Sequence, residues 1–256
     1  MNSPYIIEDT RDFSIVYKPP KMHTTFKNDS DVNNLKDRTH VKSESEAETL
    51  FDWYKNQFDN IKYVKLMHRL DFETHGIVIF AKNENCYNFL KNAQDNGEFI
   101  KEYSAVCYCA SRSASELPLE GFPPPPNPAQ DAPFVIESYF RPYGPGRKLV
   151  RPVIEDEKKH KETAKDKNGF YRTEITAING NVVTARIKRG FRHQIRCHLY
   201  WIGLPIVNDP LYTACSEKNL TEKTLALKAH AVNFPDPSAN SKKKACKLDF
   251  FLSPLQ

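Results

Sequence analysis

A β-hairpin signal around residue 180 constrains the fold of this chain more than any other feature. Two apolar, β-branched segments, residues 171–178 and 182–188, flank the tripeptide Asn179-Gly180-Asn181. An Asn-Gly pair tolerates the positive φ angles of a tight hairpin turn. In the second segment apolar and polar residues alternate, which is typical of a strand with one buried face. The sequence therefore predicts two antiparallel strands, with Arg186 and Lys188 on the exposed, basic face.

Other β-branched and aromatic segments predict further strands at residues 13–17, 77–81, 100–109 and 134–140. Strands outnumber helices, and hairpins are more frequent than β-α-β units. This balance is typical of the α+β class. We therefore predict a single domain built on a mostly antiparallel, mixed β-sheet flanked by helices.

Three helices are predicted from apolar residues at helical spacing. The first should begin near Ser43 or Ser45, where acidic residues would occupy the first turn. The second should be capped by Asn85 and end at Gly97, and the third should end at Gly203. Their apolar faces should carry Leu50, Trp53, Tyr54 and Phe58 in the first, Cys86, Phe89, Leu90 and Ala93 in the second, and Ile195, Leu199 and Ile202 in the third.

Three segments are predicted to be irregular. Residues 21–42 are polar and read as a loop. Residues 118–133 contain seven prolines among sixteen residues, which predicts an extended loop. Because strands of similar character resume after it, we interpret this loop as an insertion within one domain. Residues 141–168 are predicted to form a long charged connection.

The composition excludes several classes of protein. A hydrophobic content of 39% and a charged content of 27% indicate a globular chain. No apolar run approaches the roughly 18 residues of a transmembrane helix, and the N-terminus lacks the features of a signal peptide. We therefore expect a cytoplasmic protein with no membrane association. The six cysteines form no C-x-x-C pair, which favours reduced thiols and argues against a structural zinc.

The net charge of +5 gives a mild bias toward polyanionic partners. Two basic clusters contribute most to this bias. Because a charge cluster is usually a solvated face, neither cluster alone identifies a partner. The clusters consist of Arg186, Lys188, Arg189, Arg192 and Arg196, and of Lys242, Lys243, Lys244 and Lys247.

The tetrapeptide His68-Arg69-Leu70-Asp71 places a carboxylate and a guanidinium at a polar turn just before the strand predicted at residues 77–81. A turn that leads into a rigid strand can hold a reactive side chain at the rim of a core. The same residues could instead form an ion pair or an Asx-type turn that closes a loop. Considered alone, the tetrapeptide favours that structural role.

A second polar cluster, residues 189–198, lies at the start of the third predicted helix. Arg192 and Arg196 are four residues apart and should share one helix face. Arginines near a helix N-terminus oppose the helix dipole, so another interaction should hold them there. His193 and His198 are five residues apart, which is not the spacing of a helical zinc pair. We therefore expect no metal site.

Together with four further motifs, these residues resemble the RluA-type family of RNA pseudouridine synthases. The motifs occur in the family's order and extend over residues 13–237. They are Lys18-Pro19-Pro20, His68-Arg69-Leu70-Asp71 with Thr74 and Gly76, Lys101-Glu102-Tyr103-Ser104-Ala105, residues 193–199, residues 203–206 with Asp209 and Tyr212, and Ala229-His230-Ala231.

The resemblance implies an isomerase that converts uridine to pseudouridine in RNA without a cofactor or metal. Such enzymes detach uracil from its ribose, turn it and rejoin it through carbon 5. Asp71 matches the family's nucleophilic aspartate, which acts on the sugar while the glycosidic bond breaks. Arg196 matches the arginine that pairs with this aspartate and favours its charged form. Tyr103 matches a tyrosine that packs on the uracil and is a candidate base for the carbon-5 proton.

The resemblance also implies residues that bind the substrate. Ile195 matches an apolar residue on the other side of the uracil, and Arg69 matches a residue that fills the space left by the flipped uridine. Lys18 matches an early lysine near the pocket, where a structural role is equally expected. Further contacts with the RNA are expected from His68, Arg192 and His193.

Three positions depart from the family's usual pattern. His75 replaces a serine, Phe191 replaces an arginine, and Asn208 stands where the family often has glycine. None of these positions is Asp71, Tyr103 or Arg196. The departures therefore bear on the identity of the substrate more than on activity.

Larger members of the family carry a small RNA-binding domain before the catalytic domain. Because the first predicted strand begins near residue 13, we expect residues 1–256 to form one catalytic domain, with its core at 13–237 and no such preceding domain. The RNA would then be held by the catalytic domain itself, as a monomer, through the basic clusters and residues 141–168. We expect ribosomal RNA, with transfer RNA as the alternative.

Two other functions can be compared with this one. A catalytically silent RNA-binding protein on the same fold would have no need of Asp71, Tyr103 and Arg196 together. A zinc-dependent nucleobase deaminase would need a His-x-Glu motif together with a Pro-Cys-x-x-Cys motif, and the sequence lacks this combined signature. The sequence therefore favours a pseudouridine synthase, without indicating which uridine it modifies.

Overall fold

A computed structural model of the protein describes residues 3–25, 48–59, 62–108, 121–126, 131–154, 169–213, 223–238 and 243–248. Within these residues the chain forms eleven strands and three α-helices. The strands are β1 Tyr5–Asp9, β2 Phe13–Lys18, β3 Lys65–Leu66, β4 His75–Ala81, β5 Ile100–Val106, β6 Phe134–Tyr143, β7 Leu149–Val153, β8 Tyr171–Asn179, β9 Val182–Ile187, β10 Leu227–Pro235 and β11 Lys243–Lys247. The helices are α1 Leu50–Lys55, α2 Glu84–Asp95 and α3 Gln194–Trp201.

The strands form one sheet in the order β1-β2-β4-β10-β5-β9-β8-β6-β7, with β3 beside β4 and β11 beside β10. Every described pair is antiparallel except β4 with β10. The predicted hairpin is confirmed, since β8 and β9 pair directly and Gly180 in their turn has a φ of 58°. The predicted class, a mixed and mostly antiparallel α+β domain, is confirmed.

The sheet buries apolar side chains on both of its faces. Along β4, Val78 and Phe80 belong to one core cluster, while Ile77 and Ile79 belong to a second cluster. This alternation follows from the two-residue period of a strand. The first cluster also contains Tyr103 and Ile195, so the candidate site lies on its face of the sheet.

A glycine allows β4 and β10 to approach each other closely. Gly76 has a φ of 128°, and an added Cβ would lie 2.2 Å from the backbone oxygen of Ala229. No side chain fits at that distance, and the backbone conformation itself favours glycine. Gly76 therefore fixes where β10 joins the sheet, directly after the turn that carries Asp71.

The predicted bounds of α1 and α2 were partly wrong. Helix α1 begins at Leu50, after the N-cap Thr49, which forms a capping box with Asp52. The N-cap of α2 is Asn83 rather than Asn85, because the Asn83 side chain accepts a hydrogen bond from the backbone N–H of Cys86. Phe89 is 43% exposed and does not belong to the buried face of α2.

The prediction of a long charged connection at residues 141–168 was wrong for its first part. Strand β6 continues to Tyr143, a 3-10 turn follows at Pro145–Arg147, and β7 pairs back onto β6. Gly144 and Gly146 have φ angles of 74° and 62°, which allow this reversal. Because charged residues surround the apolar positions that β7 buries, the strand pattern was not recognised in the sequence.

Several predicted features lie outside the described residues. They are residues 26–47 with the predicted helix start, residues 118–120 and 127–130 of the proline-rich segment, residues 155–168, and Lys242. The strands β1, β3, β7, β10 and β11 were not predicted. Among the described helices, none has the length and apolarity needed to cross a membrane.

Candidate active site

A cleft of about 770 Å³ opens beside the central strands. It lies between the turn before β4, helix α2, strand β5 and the segment that leads from β9 into α3. The structure brings eight of the nine predicted site residues to this cleft. These are His68, Arg69, Asp71, Tyr103, Arg192, His193, Ile195 and Arg196.

The turn that carries Asp71 is held by hydrogen bonds from three directions. The Thr24 hydroxyl donates to the Leu70 carbonyl at 2.9 Å and accepts from the Leu70 N–H at 3.1 Å. The Gln94 amide donates to the carbonyl of Met67 at 2.7 Å. On the far side the Lys18 ammonium donates to the carbonyl of Phe72 at 3.2 Å. The backbone on both sides of Asp71 is therefore fixed by residues distant in sequence.

Lys18 is the one predicted site residue that does not line the cleft. Its side chain is fully buried, and its ammonium also donates to the carbonyls of Pro19 and Met22. Burial lowers the pKa of Lys18 to about 7, against the opposing effects of Asp71 and Glu73. The structure therefore assigns Lys18 a place behind the Asp71 turn rather than in the cleft.

Arg196 connects Asp71 to a second, fully buried carboxylate. Its Nε and Nη2 donate to Oδ2 and Oδ1 of Asp209 at 2.8 and 2.7 Å, while its Nη1 lies 3.8 Å from Oδ2 of Asp71. Burial alone would lower the pKa of Arg196, but Asp209 and then Asp71 outweigh this effect and raise it. The predicted ion pair of Asp71 with Arg196 is confirmed, although Asp209 is the closer partner.

Asp209 is itself held in place by its surroundings. Its carboxylate accepts hydrogen bonds from the backbone N–H groups of Leu211 and Tyr212. Burial would raise its pKa, yet Arg196 and these N–H groups hold the pKa below its ordinary value. The Tyr212 hydroxyl contacts both backbone groups of Val150, so the network ends on β7. Together these contacts fix the orientation of the guanidinium that faces Asp71.

Helix α3 does not present a solvated basic face. All eight of its residues are buried, including Arg196 at 2% exposure. Arg192 precedes the helix and is exposed, so the prediction that Arg192 and Arg196 share one helix face was wrong. Arg192 instead donates to the carbonyls of Arg147 and Leu149, each at 3.0 Å. Its guanidinium lies at the edge of the cleft.

Tyr103 and Ile195 contribute apolar surface to the cleft. Both are nearly buried, at 6% and 5% exposure, and both belong to the same core cluster. Burial raises the pKa of Tyr103 well above its ordinary value, and the charge of Asp71 adds to this shift. The phenol is therefore protonated at neutral pH. It can take a proton from a substrate only while it gives up its own.

Two histidines of the cleft are neutral at pH 7. Burial lowers the pKa of His68 to about 3 and that of His193 to about 4. His193 has a φ of 57° at the N-cap of α3, and its Nδ1 lies 3.3 Å from the Tyr212 hydroxyl. A histidine in this left-handed conformation is uncommon and indicates that the surrounding contacts determine it.

Two of the three departures from the family pattern, Phe191 and Asn208, have structural explanations, and nothing in the structure explains His75. Phe191 stacks on Phe140, with ring centroids 5.2 Å apart, and also packs against Tyr171. Asn208 has a φ of 60°, a conformation that glycine and asparagine tolerate best. These substitutions therefore fit the local geometry and leave the Asp71–Arg196 pair in place.

The site contains the components for chemistry at a sugar carbon. Asp71 is 24% exposed toward the cleft, and the buried cation of Arg196 stands behind it. In the part of the chain that the structure describes, no group of three or more His, Cys, Asp or Glu side chains could hold a metal ion. A carboxylate in such a position can stabilise or attack an oxocarbenium-like carbon.

Sequence reasoning did not assign roles to several residues that build the site. Asp209 and Tyr212 were noted only as parts of a motif, although they orient Arg196. Thr24 and Gln94 carried no signal, because a lone polar residue in a loop or on a helix surface does not reveal its tertiary partner.

Comparisons with known proteins agree with this geometry. A family profile described as RNA pseudouridylate synthase matches residues 12–201. An uncharacterized RNA pseudouridine synthase of Mycoplasma pneumoniae is 30% identical over 71% of this chain and 51% of its own length. A protein named tRNA pseudouridine synthase C of Haemophilus ducreyi is 25% identical over 77% of this chain and 76% of its own length. The chain thus spans about half the length of the first of these relatives.

The fold also has a solved counterpart. The structure of human RNA pseudouridylate synthase domain containing 1 superimposes with a TM-score of 0.62 over 97% of this chain and 84% of that chain, at 17% identity. At that level of identity the likeness concerns the fold alone. The family assignment depends on the profile, which covers most of the chain. The chain belongs to the family of RNA pseudouridylate synthases.

Proposed function

We propose that this chain converts a uridine in structured RNA to pseudouridine, with Asp71 as the nucleophile. The observation that carries the proposal is the position of Asp71, partly exposed in the cleft and 3.8 Å from the buried Arg196. Membership of the family supports the same function. Both ribosomal and transfer RNA are candidate substrates, and the relative named tRNA pseudouridine synthase C supports the second.

The first proposed step breaks the bond between uracil N1 and ribose C1′. A carboxylate oxygen of Asp71 bonds to C1′, and the electron pair of the broken bond stays on the uracil. Developing positive charge at the sugar is stabilised by this carboxylate. Arg196 has its charge largely compensated by Asp209, so it can orient Asp71 without neutralising it fully.

The second step joins C5 of the turned uracil to C1′ and releases the Asp71 carboxylate. The proton on C5 is then lost and N1 gains a proton, so the reaction is balanced without any other reagent. Tyr103, which is protonated in the free protein, would relay this proton by giving up its own as it accepts another. Ile195 would pack on the other side of the base.

The test maps pseudouridine in the cell's ribosomal and transfer RNA with and without the gene. Re-expression of the wild-type protein should restore at least one site that is lost on deletion. Asp71→Asn should restore none, because its amide is a poor nucleophile; we expect at least about a thousandfold loss of activity in vitro.

Glu73→Gln provides a matched control, because Glu73 belongs to the same turn but does not line the cleft. This variant should restore the modification as the wild type does. If no pseudouridine depends on the gene, or if Asp71→Asn restores it, the enzymatic proposal is wrong. A protein that binds RNA but modifies none would then be the better description.

A further inference from the structure

One side of the cleft, here called the lysine side, contains a buried cation that the proposed reaction does not use. It is lined by Lys101 of β5, His68, the end of α2 and the segment after β9. Lys101 is only 7% exposed. Among the described residues its ammonium has no carboxylate partner and no hydrogen-bond acceptor, and its recorded contact is the ring of Phe99, with the centroid 5.9 Å away.

A lysine in such a position lowers the folding stability of the free protein. Burial of most of the side chain restricts the hydration of its ammonium, and the ring of Phe99 replaces only part of that hydration. Burial lowers the pKa of Lys101 to about 8, and the neighbouring Lys91 acts in the same direction. The group is nevertheless mostly protonated at pH 7. An unpaired buried cation that lines an open cleft is typical of a site for an anionic ligand.

His68 provides a second observation at the same place. Both of its ring nitrogens are buried and have no hydrogen-bond partner in the described part of the chain. Its ring packs against Phe99, the same ring that Lys101 approaches. Lys101 and His68 therefore lie on either side of one ring, and a positive charge and a neutral imidazole both lack hydrogen-bond partners there.

The rest of the lysine side is also basic. Lys91, Lys188 and Arg189 line it, and the carboxylate there, Asp95, lies 3.8 Å from each of the cations of Lys91 and Arg189. The positive charge on this side therefore exceeds the negative charge. An anionic ligand would be attracted to this side, whereas the electrostatic attraction of a neutral carbonyl group would be much weaker.

Lys101 also has a fixed position relative to the proposed reaction. It lies two residues before Tyr103 on the same face of β5, where the two residues pair with Ile187 and Ala185 of β9. Two residues along a strand correspond to about 7 Å. That separation is comparable to the one between the base of a nucleotide and its own phosphate.

We propose that Lys101, together with His68, binds a backbone phosphate of the RNA next to the target uridine. The inference extends the proposed function, because it takes the cleft as an RNA site. The phosphate would supply the missing acceptor for the Lys101 ammonium. A turn of the His68 ring, whose nitrogens are buried in the free protein, would let the phosphate accept a second hydrogen bond. Binding would thereby fix the position of the RNA strand relative to Asp71 and Tyr103.

The test measures the affinity of a 12-nucleotide oligouridylate for the protein across a range of salt concentrations. Loss of one phosphate contact to single-stranded RNA should lower the slope of log affinity against log salt by about 0.7. Lys101→Met keeps the length of the side chain and removes its charge. We expect this variant to show that smaller slope and to bind about tenfold more weakly at low salt.

Lys55→Met is the matched control, since Lys55 lies on α1 and does not line the cleft. It should leave both affinity and slope unchanged. Thermal unfolding provides the second measurement: Lys101→Met should unfold at the same temperature as the wild type or higher, because a buried unpaired charge is removed. A structural role for Lys101 would instead lower that temperature.

Three results would overturn the inference. They are an unchanged slope for Lys101→Met, a lower unfolding temperature for this variant, and no binding of the oligouridylate by the wild type at low salt. Weaker binding with an unchanged slope would indicate a contact to a uracil oxygen instead. Because these experiments need no catalysis, a failure of the proposed isomerisation would leave their outcome readable.

Discussion

The two sides of the cleft differ in whether their buried cation has a carboxylate partner. On the aspartate side, formed by Asp71, Arg196 and Asp209, the buried cation has two carboxylate partners in the free protein. On the lysine side, Lys101 and His68 contact the ring of Phe99 but have no hydrogen-bond or carboxylate partner among the described residues. A paired charge can be oriented before the substrate arrives. An unpaired charge instead gains its partner from the substrate.

This difference assigns separate tasks to the two sides. Preorganised charges stabilise a transition state without needing to rearrange, so the aspartate side suits the chemical step. On the lysine side the desolvation of the Lys101 ammonium destabilises the free protein, and an anionic ligand would offset this cost. This side therefore suits binding. Substitutions on the first side should therefore lower both stability and turnover. Substitutions on the second side should weaken binding while leaving the fold as stable or more stable.

The largest effect on stability is expected from Asp209→Asn. The change leaves Arg196 buried without its closest anion, and breaking a buried pair costs about 3–5 kcal/mol of unfolding free energy. Turnover of uridine should also fall at least about a hundredfold, since the guanidinium is no longer held toward Asp71. Denaturant unfolding and single-turnover assays measure the two quantities.

Glu137→Gln is the control for Asp209→Asn, because its partner Arg172 lies on the surface and is 73% exposed. A change of at most about 1 kcal/mol is expected there. If the two variants lose the same stability, Asp209 is not the anchor of the site, and the contrast between the two sides of the cleft fails.

A slightly smaller change in unfolding free energy, in the stabilising direction, is expected for Lys101→Met. The pKa of Lys101 is about 8 in the folded protein and about 10.5 when unfolded, so the folded state disfavours the proton. Below pH 8 the variant should be more stable than the wild type by about 3 kcal/mol. This difference should disappear as the pH rises from 8 to 10.5, because the wild-type ammonium then loses its charge.

Of the groups near Lys101, His68 is neutral over this pH range and Lys91 repels the ammonium. Taking the difference between variant and wild type cancels the titration of the groups that do not interact with Lys101. Urea unfolding of both proteins at several pH values provides the measurement. A difference in unfolding free energy that stays constant from pH 7 to 10.5 would contradict the view that the burial of the charged Lys101 destabilises the fold.

The smallest of these effects is expected for Thr24→Val. The variant loses both hydrogen bonds to Leu70, which costs about 1–3 kcal/mol, and the turn that carries Asp71 gains freedom. Turnover should fall about tenfold while the affinity for RNA stays unchanged, since the phosphate contact that we propose is at Lys101. Thr176→Val, in the hairpin of β8 and β9, should alter neither quantity. Equal kinetic effects of the two variants would show that Thr24 does not position Asp71.

The strands and the site residues differ in how far the sequence could predict them. Alternation along residues 182–188 and the Asn-Gly turn depend only on local geometry, and both were confirmed. The segment at 141–153 was mistaken for a connection, because the glycine turn that pairs β7 with β6 lies among charged residues. The cap of α2 was missed by two positions, since two asparagines there compete and only the backbone angles select Asn83.

For the site, the motifs gave the residues but not their electrostatic surroundings. Arg192 and Arg196 look equivalent in the sequence, yet one lies at the exposed edge of the cleft and the other is buried between two carboxylates. Lys18 and Lys101 each belong to one of the motifs that carry the resemblance, and the sequence does not distinguish their surroundings. One is satisfied by three backbone carbonyls, and the other has no acceptor.

The sequence by itself determined the fold class, the hairpin and eight residues that line one cleft. The fold class and the hairpin follow from periodicity and turn chemistry, which are local, whereas the cleft residues were implied by the resemblance of the motifs to a family. Only the tertiary structure decided which charges are paired. Burial and the approach of Asp209, Thr24 and Gln94 depend on contacts between segments far apart in the chain, and local patterns do not contain them.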